Sequence, residues 1–516
     1  MKKHLVLLKK FILAKNSLWL FLIILLVSTF FRVWNLGENP LGFFADEAEI
    51  GYLGYLVLHN PEFSKFQILF RNIDGTVRLP VMVYSQLPFI ALFGLSVWSV
   101  RLTAAVYGIL TVVVFYFIGK EIFKTKQAGL ATMLVIGLMP WHIHLSRINF
   151  ELISFIFWSS VSLWLILKFK NSKSELLIFF MIALCLLLVF LSYHTGLLQS
   201  WVFFPLIFIV KPRKKTFYLL LIYCLFLSWL FLELIKLGLL SRFFQVNSAE
   251  TNLNLGSLIK AYFNHFSLEF LFLKGDIDFP GQFITRHSMR GLGELPIFYL
   301  IFIVLGFVYF MQHKKLFNYF IVVLLMLFVY PFGSMLLTEN PFATRSSFGI
   351  IPFTVLTSSG ILYLFSIVKK KQLRLSLAVF LAVVFCFYSV FLFKKLRDYP
   401  LYSSDFWGFQ YGFQQGLEIL KQNEDKYDAL YITHFFNNPL ILFSFFNESI
   451  KCSKCKIASN PVAVNLDKKE LFVIRPVDLS AVISNNNLNY KIIDSILLPN
   501  RQVELVVVEF SQKQAM

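Results

Sequence analysis

Long uncharged apolar runs recur along the first three quarters of the chain, separated by short polar stretches. A helix needs roughly 17 to 25 residues to cross a bilayer, and backbone groups in lipid must be satisfied within their own segment or in a closed barrel. The pattern therefore predicts membrane helices near residues 17–34, 98–119, 128–140, 152–168, 176–192, 197–210, 216–234, 296–311, 316–336, 349–367 and 375–393.

Basic residues between these runs predict the orientation of the helices. Lysines precede the first run, and no small-residue cleavage site follows it, which indicates an uncleaved anchor with a cytoplasmic amino terminus. Basic clusters then recur in alternate short loops, near 120–126, 168–173, 211–215, 314–315 and 369–374, as expected on the cytoplasmic side. A cluster at Lys394, Lys395 and Arg397 departs from this rule, because it falls on the predicted outer side.

Three predicted outer segments are too long for simple connections: 35–97, 235–295 and the tail from 394. In the first, residues 79–94 are apolar but interrupted by Pro80 and Pro88, which predicts a helix in the membrane interface. In the tail, 409–422 has helical periodicity, and 429–433, 471–474, 491–497 and 503–510 resemble strands. We therefore predict a multi-pass α-helical membrane domain (1–393) and a small extracytoplasmic α/β domain (394–516).

Composition supports a membrane protein and argues against nucleic acid as a partner. Hydrophobic residues make up 57% of the 516 positions and charged residues 15%, and the mean hydropathy is +0.69. The net charge of +19 arises from bases placed between apolar runs rather than from one basic patch. Cys452 and Cys455 form a C-x-x-C for which a disulfide, a redox pair and half a zinc site remain open.

Three carboxylates follow the first helix, at Asp46, Glu47 and Glu49. Acidic residues close to a membrane are costly, and they therefore point to function. A structural explanation competes with this one: Asp46 and Glu49 have the spacing of a capping box for a helix over 47–58.

Cationic residues lie in other segments of the same predicted face. A carboxylate among guanidinium groups suits transfer from a lipid-phosphate sugar, where a base deprotonates the acceptor and cations stabilise the departing phosphate. Arginine suits phosphate because its planar fork binds two oxygens. For any single arginine, snorkelling or a surface ion pair is the alternative. The candidate substrate-binding residues are Arg78, Arg101, Arg147, Arg286, His287 and Arg345.

Two further patterns could bind a metal ion, but each has a simpler explanation. Asp276 and Asp278 are spaced like the acidic pair of nucleotide-sugar transferases, yet the surrounding Gly/Pro-rich loop favours a turn. His142 and His144 alternate beside a Pro-Trp corner, where hydrogen bonding at the interface is the default.

Residues 15–365 resemble the bacterial members of the protein O-mannosyltransferase-like group of GT-C glycosyltransferases, which are related to lipid A aminoarabinose transferases. The resemblance rests on motifs in a fixed order. They are Ala45-Asp46-Glu47-Ala48, Leu79-Pro80, Phe93-Gly94, Val100-Arg101-Leu102, Pro140-Trp141-His142 through Arg147, Lys274-Gly275-Asp276 through Arg286-His287, and Asn340-Pro341 through Arg345.

The resemblance implies the GT-C fold and an inverting transfer, at the outer face of the cell membrane, from a polyprenyl-phosphate sugar such as a mannose donor. Asp46 corresponds to the family's catalytic base, and Glu47 to its usual companion. Arg101, and Arg286 with His287, correspond to residues near the site. This chain has Arg78-Leu79 where the aminoarabinose enzymes have Glu-Lys, so a divalent metal remains only a possibility.

Two other functions remain as alternatives. A transporter of lipid-linked saccharides would use the outer cations to bind a headgroup, but it would also need polar groups at the midplane, which are sparse here. Another GT-C branch, such as an O-antigen ligase or polymerase, would keep the donor and change the acceptor. The sequence specifies neither the sugar nor whether the acceptor is protein, glycan or lipid.

Overall fold

A computed structural model describes residues 2–71, 75, 77–239, 254–276, 286–335, 341–486 and 488–512. Each of the eleven predicted apolar segments contains helix, and several helices extend beyond the predicted bounds. The helices up to residue 403 are α1 (Lys2–Val33), α2 (Ala45–His59), α3 (Pro80–Ser85), α4 (Leu87–Phe93), α5 (Val97–Phe123), α6 (Lys126–Gly137), α7 (Pro140–Leu145), α8 (Leu152–Phe169), α9 (Glu175–Phe190), α10 (His194–Gln199), α11 (Phe203–Val210), α12 (Lys214–Lys236), α13 (Leu255–Asn264), α14 (Tyr299–Gln312), α15 (Phe317–Val329), α16 (Ile350–Ile367), α17 (Lys371–Asp398) and α18 (Pro400–Ser403).

Six helical segments of the described chain are long and apolar enough to cross a membrane. This length and composition are those of a multi-pass membrane protein. The segments are Val97–Phe123, Leu152–Phe169, Lys214–Lys236, Lys314–Gly333, Ser347–Ile367 and Lys371–Ser403.

Local sequence explains how the helices begin and pack. The Ser96 hydroxyl accepts a hydrogen bond from the Ser99 amide and starts α5 with a capping box. Between α14 and α16, a Cβ atom at Gly360 would overlap the carbonyl oxygen of Phe302. Glycine therefore lets two apolar helices approach at backbone distance, as small residues do in membrane proteins.

The two ends of the helix bundle carry different side chains. At one end, Lys211 binds the carboxylate of Glu175 at 2.8 Å and the carbonyl of Phe169 at 3.1 Å. Lys170 lies nearby, 5.3 Å from the ring centre of Tyr319. The predicted cytoplasmic loops thus meet at this end, and the opposite ends of α5 and α8 adjoin the acidic loop that contains Asp46.

The first outer segment folds onto the bundle. The short strands β1 (Phe70–Arg71) and β2 (Val77–Arg78) pair antiparallel, with Phe70 opposite Arg78. The single interfacial helix predicted over 79–94 is two helices, α3 and α4, and each has a proline in its first turn. They are separated at Gln86.

A small mixed-sheet domain follows the last membrane helix. Its helices are α19 (Phe413–Gln422), α20 (Pro439–Ile450) and α21 (Pro476–Asn486), and its strands are β3 (Ala429–Ile432), β4 (Cys455–Ile457), β5 (Glu470–Ile474), β6 (Leu488–Leu497) and β7 (Val503–Gln512). The strand order is β4-β3-β5-β7-β6, in which β4, β3 and β5 are parallel and β7 and β6 antiparallel. The α/β prediction is confirmed, and Cys452 forms a disulfide with Cys455.

Helix α2 lies between the bundle and the sheet domain. Ile50 and Leu53 belong to the apolar core of the bundle, whereas Phe43 and Ala48 belong to that of the sheet domain. The Phe43 ring lies 4.7 Å from that of Phe445. The helix that carries Asp46 is therefore packed on both sides.

Candidate active site

Asp46 does not cap its helix. Helix α2 begins at Ala45, so the N-cap residue is Phe44, whose side chain cannot cap. Asp46 instead accepts a hydrogen bond from Arg78 Nη2 at 2.6 Å. The capping-box hypothesis is wrong because the helix starts earlier than predicted and a charge-assisted bond to Arg78 engages the carboxylate. The Asp46 side chain remains 32% exposed.

Arg78 lies among three carboxylates and is only 3% exposed. Its Nη2 donates to Asp46 and, at 2.7 Å, to Glu49, and its Nη1 lies 3.4 Å from Glu151. Sequence reasoning missed Glu151. The signal was available, since Glu151 is an acid directly before an apolar run and thus at the membrane boundary.

The charge balance of this cluster favours a permanently protonated guanidinium. Burial by itself would lower the pKa of Arg78, but the charges of Asp46, Glu151 and Glu49 raise it well above its ordinary value. Carboxylate oxygens are also ligands for hard divalent ions. Arg78 occupies their centre, and the described residues contain no group of three His, Cys, Asp or Glu side chains that could hold a metal ion. Arg78 forms ion pairs with all three of these carboxylates.

Glu47 and Arg101 form a second, fully enclosed ion pair. Both side chains are 0% exposed, and two nitrogens of Arg101 bind the two carboxylate oxygens of Glu47 at 2.9 Å each. Arg101 also donates to the carbonyls of Pro40 at 2.6 Å and Gly42 at 2.8 Å. The pair fixes the loop that leads into α2, and neither group reaches the surface.

Arg147 is also buried, at 1% exposure. It donates to the carbonyls of Phe31 at 2.9 Å, Trp34 at 2.7 Å and Asn39 at 2.5 Å. These bonds tie the turn after α7 to the end of α1. All three of these acceptors are backbone oxygens, and the guanidinium is enclosed.

Each of the two histidines considered for a metal ion forms a hydrogen bond with an arginine residue, one with its side chain and the other with its backbone. The Nδ1 atom of His142 lies 2.6 Å from Arg32, a donor, and therefore accepts. The Nε2 atom of His144 lies 2.8 Å from the carbonyl oxygen of Arg286, to which it donates. Arg32 was not predicted, although an arginine at the end of the first apolar run was visible in the sequence.

Arg286, His287 and Arg345 gather beside Asp46. The Arg286 guanidinium lies 4.1 Å from the ring centre of Phe44, two residues before Asp46, and donates to the carbonyl of Trp407 at 2.8 Å. Burial lowers the pKa of His287, the charges of Arg286 and Arg345 lower it further, and that of Asp46 raises it. His287 and Arg345 also contact one aromatic ring, since they lie 4.4 and 5.4 Å from the ring centre of Phe342.

Asp276 connects the predicted outer segment 235–295 to the loop that contains Ala343. Its Oδ2 lies 3.2 Å from His287 Nδ1, and its Oδ1 accepts from the Ala343 amide. Burial raises the pKa of Asp276 to about 7, against the opposing effects of the Ala343 amide and Arg286. Burial and the charge of Asp276 also raise the pKa of Glu294. Asp278, the other half of the predicted pair, lies outside the described residues.

The predicted site residues thus fall into two groups. Asp46, Arg78, Arg286, His287 and Arg345, together with Glu49 and Glu151, form one neighbourhood, which we call the acid–arginine cluster. Glu47, Arg101 and Arg147 are enclosed and bind each other or backbone carbonyls. In the described residues, an acid with an exposed edge is therefore bound by Arg78, and Arg286 packs on the nearby Phe44 ring.

Solved structures resemble this chain, although no protein-family model and no curated protein sequence matches it. ArnT from Cupriavidus metallidurans in the apo state has a TM-score of 0.56 at 12% identity, covering 96% of this chain and 98% of that one. The same protein bound to undecaprenyl phosphate gives 0.51 at 12% identity, with the same coverage. AglB from Archaeoglobus fulgidus, an archaeal oligosaccharyltransferase in complex with an inhibitory peptide and a dolichol-phosphate, gives 0.50 at 12% identity over 92% and 69% of the two chains. The chain has the GT-C glycosyltransferase fold.

Proposed function

We propose that this protein is an inverting glycosyltransferase that moves a sugar from a polyprenyl-phosphate donor to an acceptor at the outer face of the cell membrane. The observation that carries the proposal is the carboxylate of Asp46, which is 32% exposed and bound by Arg78 at 2.6 Å, with Arg286 packed on the Phe44 ring two residues earlier. The GT-C fold supports it, as do the polyprenyl and dolichol phosphates bound by two of the similar proteins.

In the proposed reaction, Asp46 takes the proton of an acceptor hydroxyl. The acceptor oxygen forms a bond to the anomeric carbon from the side opposite the phosphate, which inverts that centre. The bond between this carbon and the phosphate oxygen breaks, and its electron pair stays with the oxygen. Arg286 and Arg345 stabilise the charge that grows on the leaving polyprenyl phosphate.

Glu47, Arg101 and Arg147 are positioning residues in this proposal. They reach neither donor nor acceptor, because each is almost completely buried. Arg101 holds Glu47 and the loop before α2, and Arg147 holds the end of α1. Their effect on transfer runs through the placement of Asp46, which is Glu47's neighbour in the chain.

The charge distribution supports an outward-facing cluster. Lysine-rich loops at the opposite end of the bundle suit the cytoplasmic side. The Cys452–Cys455 disulfide suits an oxidising compartment for the sheet domain. We propose a hexose such as mannose as the sugar, and a protein, glycan or lipid as the acceptor.

The test compares Asp46→Asn with Glu62→Gln, an exposed acid of the same outer segment. Purified protein in nanodiscs receives undecaprenyl-phosphate [3H]mannose and cell-envelope extract as acceptor. We expect wild type and Glu62→Gln to release undecaprenyl phosphate only when acceptor is present, and Asp46→Asn to fold normally without release.

Retained release in Asp46→Asn would remove the proposed base. Movement of labelled lipid across the bilayer without release would support a transporter. Mass spectrometry of envelope glycans from cells with and without the gene identifies the sugar and the acceptor.

A further inference from the structure

The sheet domain has a cavity that begins beside the carboxyl ends of its parallel strands, where the strand order reverses, and extends along α21 to the start of β6. The chain runs from the central strand β3 to β4 on one side and then to β5 on the other, and all three strands are parallel. In open sheets of this kind, the crevice outside the carboxyl ends of the strands at such a point is where ligands bind.

Each of the three parallel strands contributes to the wall of this cavity. His434 follows β3, residues 460–464 follow β4, and Asp478 follows β5. The cavity volume is about 590 Å³. This lies within the usual range for small-molecule sites, roughly 300–1,000 Å³.

The lining combines apolar side chains with a few polar groups. Its one acidic residue, Asp478, is paired with an arginine. Val462, Val482 and Leu488 supply apolar surface. The carboxylate of Asp478 is neutralised by Arg475, which binds it through Nε at 2.8 Å and Nη2 at 2.7 Å. His434 and Asn460 add polar side chains to the lining.

This combination fits one class of ligand. The His434 imidazole and the Asn460 amide both belong to the lining, and either side chain can form a hydrogen bond with a hydroxyl group of a ligand. Sugar rings present hydroxyl groups at their edges and apolar C–H groups on their faces. We infer that this cavity is a binding site for a neutral saccharide.

A chain of contacts joins the cavity to the acid–arginine cluster. The Arg475 guanidinium lies 3.4 Å from the ring centre of Phe435, which lies 4.5 Å from that of Phe406. The next residue, Trp407, accepts the hydrogen bond of Arg286. We therefore assign the saccharide as part of the acceptor. This assignment rests on the proposed function, whereas binding in the cavity does not.

The test measures saccharide binding directly. Full-length protein in lipid nanodiscs, without sugar-based detergent, is mixed in turn with mannotriose, maltotriose, chitotriose and the peptide trialanine, and saturation-transfer NMR reports contact. We expect at least one trisaccharide to receive saturation from wild type and from Asp46→Asn, while trialanine receives none.

Substitutions locate the site. Ala463→Trp and Ala481→Trp place an indole at lining positions that are exposed, so that folding is retained. The matched control is Ser484→Trp, an exposed position on α21 that does not line the cavity. Affinity should fall by at least about tenfold in the two lining variants and stay unchanged in the control. His434→Ala, which adds no volume, should also weaken binding.

Three results would overturn the inference: no trisaccharide binds, trialanine alone binds, or the lining variants and His434→Ala bind as the control does. Failure of the proposed function is distinguishable, because it would appear as transfer retained in Asp46→Asn while trisaccharide binding stays confined to the cavity.

Discussion

Arg78 and Arg101 are both buried, and both bind carboxylates of the same helix, yet their surroundings differ. Arg101 pairs with Glu47 alone and donates its remaining hydrogen bonds to backbone carbonyls, with both side chains 0% exposed. Arg78 faces three carboxylates, of which Asp46 is 32% exposed. Two acids adjacent in the sequence, Asp46 and Glu47, are thus separated into an accessible group and an enclosed one.

The comparison teaches that contacts with distant residues, rather than acidity or position in a motif, decide which of two neighbouring acids stays accessible. The excess of carboxylates lies around Arg78, where the edge of Asp46 is exposed; in the proposed reaction this edge takes the acceptor proton. Around Arg101 the carboxylate of Glu47 balances the guanidinium charge, and both side chains are fully buried. Four predictions challenge this division, in order of expected effect.

Arg101→Met should have the largest effect, on stability. It leaves Glu47 buried without its partner, and breaking a buried ion pair typically costs about 3–5 kcal/mol. We expect a large loss of folded protein, measured as yield and as thermal unfolding in nanodiscs. The double variant Arg101→Met/Glu47→Leu should recover much of the stability, and an unchanged melting temperature in the single variant would disprove the supporting role.

Arg78→Ala should destabilise the protein in a way that depends on pH and cations. Three carboxylates would then repel one another, so the pKa values of these three carboxyl groups should rise. The stability of the folded protein should therefore fall as the pH rises through the raised pKa values. Once the guanidinium is removed, the three carboxylates can close on a divalent ion in its place, so Mn²⁺ should raise the melting temperature of this variant by binding the folded state. Equal Mn²⁺ effects on wild type and variant would show that Arg78 is not the balancing cation.

Glu47→Gln should separate support from chemistry. The charge-assisted bonds to Arg101 weaken, so the melting temperature should fall. Transfer per folded molecule should decrease much less than in Asp46→Asn, for which we expect a loss of about 100-fold or more. The measurement is the initial rate of undecaprenyl phosphate release, normalised to folded protein. Equal losses in the two variants would abolish the distinction between the neighbouring acids.

Asp276→Asn should have the smallest effect, a change in the pH dependence of stability. Because the pKa of Asp276 is raised from 3.8 to about 7 in the folded state, the folded protein binds more protons between these values. Stability should therefore fall as pH rises from about 4 to 7. Thermal unfolding across this range should show a shallower decline in the variant. Identical slopes would indicate that the carboxyl group is not titrating there.

The membrane helices and the four longer strands of the tail were predictable, because apolar periodicity depends on burial that each segment experiences by itself. Strand β4 was not, since Cys455–Ile457 is too short for a pattern and depends on pairing with β3. The split of the interfacial helix at Gln86 was also missed, although Pro88 marked the second helix.

Within the site, the sequence showed which residue types were present but not which charges would meet. Asp46 and Glu47 are chemically similar neighbours, and only contacts with residues far along the chain separate them. Glu151 joins the cluster across 73 positions from Arg78, a distance at which one sequence contains no pairing signal. The roles of individual site residues in transfer therefore stay predictions.

Helix α2 has one face in the core of the bundle and the other in that of the sheet domain. Contacts with both domains therefore fix the position of Asp46. The Phe43 ring packs against Phe445 of the sheet domain, and Leu53 packs in the core of the bundle. The tail is thus part of the packing around α2. Its removal would take Phe445 away from Phe43 and so loosen the segment that positions the Asp46 carboxylate.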